Sequence, residues 1–345
     1  MIRFAKSFAA VCAIAALSSS AATSASADPV EIILNNFLPP NFPIFREVIS
    51  VWAEEVNAAS NGTLHITIPT NSMAPFPRLW DVVQDRVADM GIVPLGTNDQ
   101  NITLSTLLDI PMIGNDSSAI TARALWDTYE AYFADAGEYE AQGLMPLTFF
   151  VIGGNQFFSR ERRIETLADF AGLKIRGEGV NPLQMMTELG AAPVGAPGVQ
   201  SFELLSNGVI DVSMNPFGPA MSLGLVGHAP EITTLPGGFF RPGFAIVINQ
   251  EAFDELPADA QRALVETSGA DLAERIGIVD DRTNEAGRQA FLDAGSTITP
   301  ASDTLIAAVR ERTAFVEQAW LENASRLGVD GPAALAFFRS EVAGQ

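Results

Sequence analysis

The strongest constraint on this chain is a pattern that recurs from residue 30 onward: a short apolar run, a loop, a helical stretch and another apolar run. Residues 30–34 form the first run, a Pro/Asn/Phe loop spans 35–43, a helical pattern covers 44–59, Asn61-Gly62 closes it, and 64–68 is the next strand. Two strands joined through a helix predict a parallel pairing, and parallel sheets are covered on both faces. The pattern continues with a helix over 77–90, its apolar face carrying Leu79, Trp80, Val83 and Val87, then a strand over 91–94 and helices within 117–136. The run 144–152 is rich in Phe and β-branched residues and predicts a fully buried strand.

Past Gly153-Gly154 the character changes to polar Asn155 and Gln156 and a charged segment at 160–163. A second α/β unit follows, with helices over 182–189 and 199–207, a strand at 192–194 and a turn at 208–212. Residues 243–249 are again a strand, and a nearly unbroken helical pattern occupies 257–294. At 1.5 Å per residue such a helix runs roughly 50 Å, longer than one lobe, so it is expected to brace two. Helices over 303–327 and 332–342 complete the chain. About 318 residues after the leader exceed what one core usually organises. The expected arrangement is a leader (1–27), lobe I (28–152 with about 243–290) and lobe II (153–242 with about 291–345).

The leader has the order of a secretory signal peptide: Arg3 and Lys6, an apolar run over 8–17, small residues, then Ala25-Ser26-Ala27 before Asp28. The expectation is export, cleavage after Ala27 and residence in the periplasm without a membrane anchor. The single cysteine, Cys12, lies inside the apolar run, and Ala9, Ala10 and Val11 before it do not form a lipobox. Cleavage would leave no thiol, which excludes disulfides, thiolate metal sites and cysteine nucleophiles together. The remaining chain carries 18 basic against 41 acidic side chains, a net charge of −23. That balance opposes nucleic acid and anionic lipid, but it does not oppose a small anion held by local cations. His65 and His228 are far apart with no companion ligands, so neither a metal nor any other cofactor is expected.

Four segments carry a family resemblance. They are 164–176 (IETLADFAGLKIR), 189–194 (LGAAPV), 202–211 (FELLSNGVID) and, upstream, 79–90 with Asp89 before a strand. Together they resemble the TRAP transporter solute-binding proteins, over nearly all of the chain beyond the leader. The resemblance implies an α/β, two-lobed periplasmic-binding-protein (Venus-flytrap) fold. It also implies capture of a small organic acid in the interlobe cleft for delivery to integral-membrane permease subunits.

In that family the arginine of the GLKIR-type strand holds the ligand carboxylate, and here it is Arg176. A guanidinium fork matches a carboxylate bidentately, more strongly once water is excluded. A polar residue follows the G-x-x-D turn in the family, and Asn215 occupies that place, either meeting ligand or capping the helix after Pro216. Some members carry a second arginine about twenty residues before the first; this sequence has Gln156 there, beside Asn155, which disfavours ligands needing two arginine forks. Another branch binds a metal through an acidic residue near Asn215, and the neutral Asn215 implies direct binding instead. Phe37, Phe76, Phe150 and Phe217 are candidates for an apolar cleft wall, each with core packing as the alternative. Arg241 is expected to face solvent unless its segment turns it inward. One cation with several phenylalanines favours a monocarboxylate with an apolar or aromatic body.

Two other functions compete. An exported α/β enzyme lacks support, since there is no G-x-S-x-G elbow, no cysteine nucleophile and no histidine beside one, while Glu54-Glu55 belong to a solvated helix face. A binding protein serving an ABC permease or a sensor would look alike and differ only in partner.

Overall fold

The computed structural model describes residues 28–344; the leader, on which the cleavage expectation falls, and Gln345 lie outside the described residues. The chain runs β1 (Val30–Asn35), α1 (Ser50–Ala59), β2 (Leu64–Thr67), α2 (Leu79–Gln84), β3 (Met90–Pro94), α3 (Ser118–Thr128) and β4 (Leu144–Val151). A second set follows: β5 (Gln156–Ser159), β6 (Lys174–Gly177), α4 (Val180–Glu188), β7 (Ala192–Gly195), α5 (Ser201–Ser206), β8 (Val212–Asn215), α6 (Phe217–Ser222) and β9 (Glu231–Thr234). The remainder is β10 (Gly243–Asn249), α7 (Gln250–Asp254), α8 (Ala258–Glu266), α9 (Gly269–Asp293), β11 (Thr297–Pro300), α10 (Asp303–Arg326) and α11 (Gly331–Ala343).

These strands form two sheets, ordered β2-β1-β3-β10-β4 and β11-β9-β5-β8-β6-β7, and the fold is α/β with two lobes. The expected parallel pairings are present between β1 and its neighbours β2 and β3, and between β6 and its neighbours β7 and β8. Each sheet also holds one strand antiparallel to both its neighbours: β10 between β3 and β4, and β5 between β8 and β9. Both are strands by which the chain arrives from the other sheet.

Two expected elements differ. The helix expected over 77–90 ends at Gln84, because Arg86 adopts a left-handed φ of 54° and the Val87 and Ala88 N–H groups both turn back to the Val82 carbonyl. Val87 is therefore exposed rather than on the buried face. The single helix expected over 257–294 is two helices, broken where Ser268 is extended and Gly269 has φ 69°. The surviving α9 still braces both lobes, packing against α3 and β4 on one side and α6 on the other. Finally, α11 packs against α3 and α10.

Apolar side chains cover the first sheet on both faces. Trp52, Ile66, Ile246 and Leu264 belong to one layer; Leu79, Val93, Phe149 and Val247 belong to the other, which continues into the second lobe through Phe157 and Ile175. The opposite face of the second sheet is closed by Phe158, Ile232 and Phe291.

Candidate ligand-binding site

Register places the main candidates on one face of the second sheet. Arg176 pairs with Ser213, Asn215 lies two residues beyond Ser213 on the same strand, and Gln156 pairs with Asn215. With side chains alternating along strands, Arg176, Ser213, Asn215 and Gln156 share a face.

Arg176 is 3 % exposed. Its Nε donates to the Ala196 carbonyl at 2.8 Å and its Nη1 to the Met214 carbonyl at 2.9 Å. Its Nη2 lies 2.6 Å from a Glu178 carboxylate oxygen, yet no acceptor is aligned for a hydrogen bond with that buried nitrogen. Two of five N–H donors, one on Nε and one on Nη1, are thus committed to carbonyls that fix the plane of the guanidinium, while Nη2 has no aligned acceptor.

Asn215 is buried, and its amide nitrogen donates to the Ser213 hydroxyl at 2.8 Å and the Ser201 hydroxyl at 3.4 Å. It does not cap the following helix. Asn284 of α9 does so instead, accepting from the Gly218 N–H at 2.9 Å.

The other candidates disperse. Gln156 is buried with both ends of its amide on the Leu235 backbone, at 2.8 and 3.2 Å, so it laces the two crossing segments together. Asn155 is buried at the same crossing, its backbone exchanging bonds with Phe239 and Phe240. The segments approach so closely that a Cβ on Gly154 would lie 2.3 Å from the Gly237 oxygen. Phe217 packs edge-on against Phe158 at 5.2 Å and also meets Phe291, in the core beneath α9.

Phe150 corrects the expectation of a cleft wall. It is fully buried and stacked on Phe244 at 5.1 Å, so it presents no surface to a ligand. Phe37 packs on Phe244 at 5.6 Å and edge-on against Phe76 at 5.2 Å, and these two remain half-buried beyond the end of β1.

Arg241 corrects the expectation of a solvent-facing side chain. It is 2 % exposed and donates to the Thr121 hydroxyl and to the Ser117 and Asp116 carbonyls, fastening the second crossing to the start of α3. Burial pulls its guanidinium down to about 10, opposed by Asp280, Asp281 and Asp116, which leaves it protonated at neutral pH.

Two cavities lie elsewhere. One of about 780 Å³ runs between α9 and the crossings, touching Gln156, Phe217, Arg241 and Asn284; another of about 610 Å³ lies between 110–113 and α10. Arg176 lines neither. The larger is lined by Arg241, whose buried Nε has no acceptor, and by Arg288, and the smaller by Arg310 and Arg339.

Sequence reasoning missed Asn35. At the end of β1 it is wholly buried, its oxygen accepts from the Met73 N–H at 2.8 Å, and its Nδ2 has no acceptor. An Asn-Asn pair directly after an apolar strand was the available signal, since open α/β sheets place ligands beyond strand C-termini. It also missed Glu178. Across the lobes, Asn181 of α4 donates to Asp109 at 2.9 Å, and burial pushes that carboxyl up to about 6. Among the described residues there is no cluster of three or more potential metal ligands and no helix long and apolar enough to cross a membrane.

A family model described as bacterial extracellular solute-binding protein, family 7 (DctP) matches residues 34–323. A TRAP periplasmic solute-binding protein from Bordetella bronchiseptica, solved with (R)- and (S)-mandelate, is 33 % identical with a TM-score of 0.84, covering 92 % of this chain and 99 % of its own. One from Rhodoferax ferrireducens, in complex with copurified benzoate, is 25 % identical with a TM-score of 0.79, covering 91 % and 98 %. The C4-dicarboxylate-binding periplasmic protein DctP of Rhodobacter capsulatus is 25 % identical over 299 residues, 82 % of this chain and 83 % of that one.

Proposed function

Because this chain belongs to the DctP family of bacterial extracellular solute-binding proteins, family 7, we propose that it captures a small monocarboxylate with an aromatic or apolar body and delivers it to the membrane subunits of a TRAP permease. The family and fold are those of solute receptors rather than enzymes. The mature protein then works in the periplasm, released by cleavage after Ala27.

What supports this reading is the buried Arg176 guanidinium, held in plane by two backbone carbonyls and with its Nη2 lacking an aligned acceptor. The ligand's carboxylate docks there, with the Asn215 amide alongside. Phe37 and Phe76 supply apolar surface from the first lobe, and closure removes the water that would weaken the ion pair. Closure follows from binding only if ligand contacts in the first lobe favour the closed state. Support for an aromatic body comes from the relatives solved with mandelate and benzoate.

The test is a thermal-shift panel of organic acids, including benzoate, mandelate and succinate, on the mature protein and on Arg176→Ala, because a ligand that binds only the native state raises Tm. The expected result is a rise with aromatic monocarboxylates that disappears in the folded variant. A rise that survives Arg176→Ala, or hits confined to uncharged solutes, overturns the reading.

A further inference from the structure

Resting on that reading of Arg176, we propose that Glu178 is a specificity-determining residue: an internal counter-carboxylate that partly neutralises the anchor, so that the site accepts ligands with one negative charge and rejects those with two. Glu178 lies two residues after Arg176 at the end of β6. One of its oxygens accepts from the Gly198 N–H at 2.9 Å and the other sits 2.6 Å from Arg176 Nη2. It is therefore held by the loop after β7, and a Cβ on Gly198 would lie 3.3 Å from the same Nη2.

The pairing is close in distance but out of line, since Nη2 has no aligned acceptor. Glu178 thus contributes charge at the anchor while Nη2 remains without an aligned acceptor. A buried guanidinium needs a counter-charge when no ligand is present, and a carboxylate that is 45 % exposed supplies one while keeping its own hydration. When a monocarboxylate docks, three charges share the site. A dicarboxylate brings a fourth, of the same sign as Glu178, in a cleft whose closure strips solvent and strengthens repulsion. The position where some relatives have a second arginine is Gln156, whose amide is engaged by Leu235, so no cation stands at that position to offset it.

The experiment is calorimetric titration of the mature wild type, Glu178→Gln and Arg176→Ala with benzoate and with terephthalate, which share a ring and differ by one carboxylate. Glutamine keeps an oxygen for the Gly198 N–H and removes only the charge. The expected result is that Glu178→Gln tightens terephthalate more than benzoate, shrinking the preference for benzoate by about tenfold or more. A parallel measurement needs no organic ligand: added sulfate should raise the Tm of Glu178→Gln more than that of wild type, because the anchor has lost its counter-charge. If Glu178→Gln leaves the benzoate-to-terephthalate preference and the sulfate response unchanged, or weakens both acids alike, Glu178 only props Arg176 and the proposal falls. If Arg176→Ala binds benzoate as wild type does, the anchoring reading falls first. Loss of benzoate in Arg176→Ala with an unchanged preference in Glu178→Gln overturns only the assignment of Glu178.

Discussion

A buried amide nitrogen without an acceptor, as at Asn35, forgoes its water without a replacement partner, and such a group costs about 1–3 kcal/mol unless something satisfies it. A ligand oxygen would do so. Asn35→Ala is therefore expected to weaken benzoate binding by about tenfold, the worth of one hydrogen bond to a charged acceptor. Asn35→Asp should weaken it further, because it turns the donor into a like charge. Titration of both variants checks the order, and an aspartate variant that binds as well as wild type would remove Asn35 from the site. Arg176 could be proposed from the sequence because a long, gapless motif surrounds it. Asn35 stands out in the sequence only as one of an Asn-Asn pair after an apolar strand; that its buried Nδ2 lacks an acceptor is visible only in the fold. Glu178 escaped for a related reason: nothing in its spacing announces that Gly198 will turn it towards Arg176.

Among the elements, the two crossings between lobes have the least tolerance. The Gly154 and Gly238 backbones approach so closely that a Cβ on Gly154 would meet the Gly237 oxygen at 2.3 Å and the Gly238 Cα at 2.6 Å. Gly154→Ala must push the strands apart and disturb the bonds between Asn155 and Phe239–Phe240, so a loss of about 2–4 kcal/mol is expected. Gly96→Ala, with open space around the added atom, should change little. Thermal melts of the two variants check the contrast; an unchanged melt for Gly154→Ala would mean that the crossings yield freely. The long helices and the apolar strands were legible because their periodicity runs over many residues. The four-residue strands β5, β9 and β11 were not, since a run that short carries no period and owes its form to neighbouring strands. The break before α9 is local, at Gly269, whose left-handed φ of 69° favours glycine.

At the scale of the whole molecule, α9, α3 and the first crossing meet at a buried acid. Asp280 is 2 % exposed, accepts from the Ser118 hydroxyl at 2.7 Å and the Asn284 amide at 2.6 Å, and faces Arg241 and Asp281. Burial pushes its carboxyl up to about 7, against the opposing pull of the Ser118 hydrogen bond, Arg241 and the Gly153 N–H. A carboxyl with a raised folded value binds its proton more tightly in the native state than in the unfolded chain. Its contribution to stability is therefore greatest in acid and is lost as pH rises through about 4 to 7. Asp109, pushed up to about 6 by burial, acts in the same direction. Exposed acids such as Glu47 and Glu255, held below the usual carboxylate range by hydrogen bonds to neighbouring arginines, weaken the fold only in stronger acid. Between about pH 7.5 and 5.5 the buried acids thus dominate, and Tm should rise by a few degrees on acidification, on the order of 2 kcal/mol from Asp280. Asp280→Asn should flatten most of that rise while leaving the decline below about pH 4 in place. A variant whose melting profile keeps the wild-type slope across that window would show that Asp280 remains ionised where the three elements meet, with Arg241 as its full counter-charge.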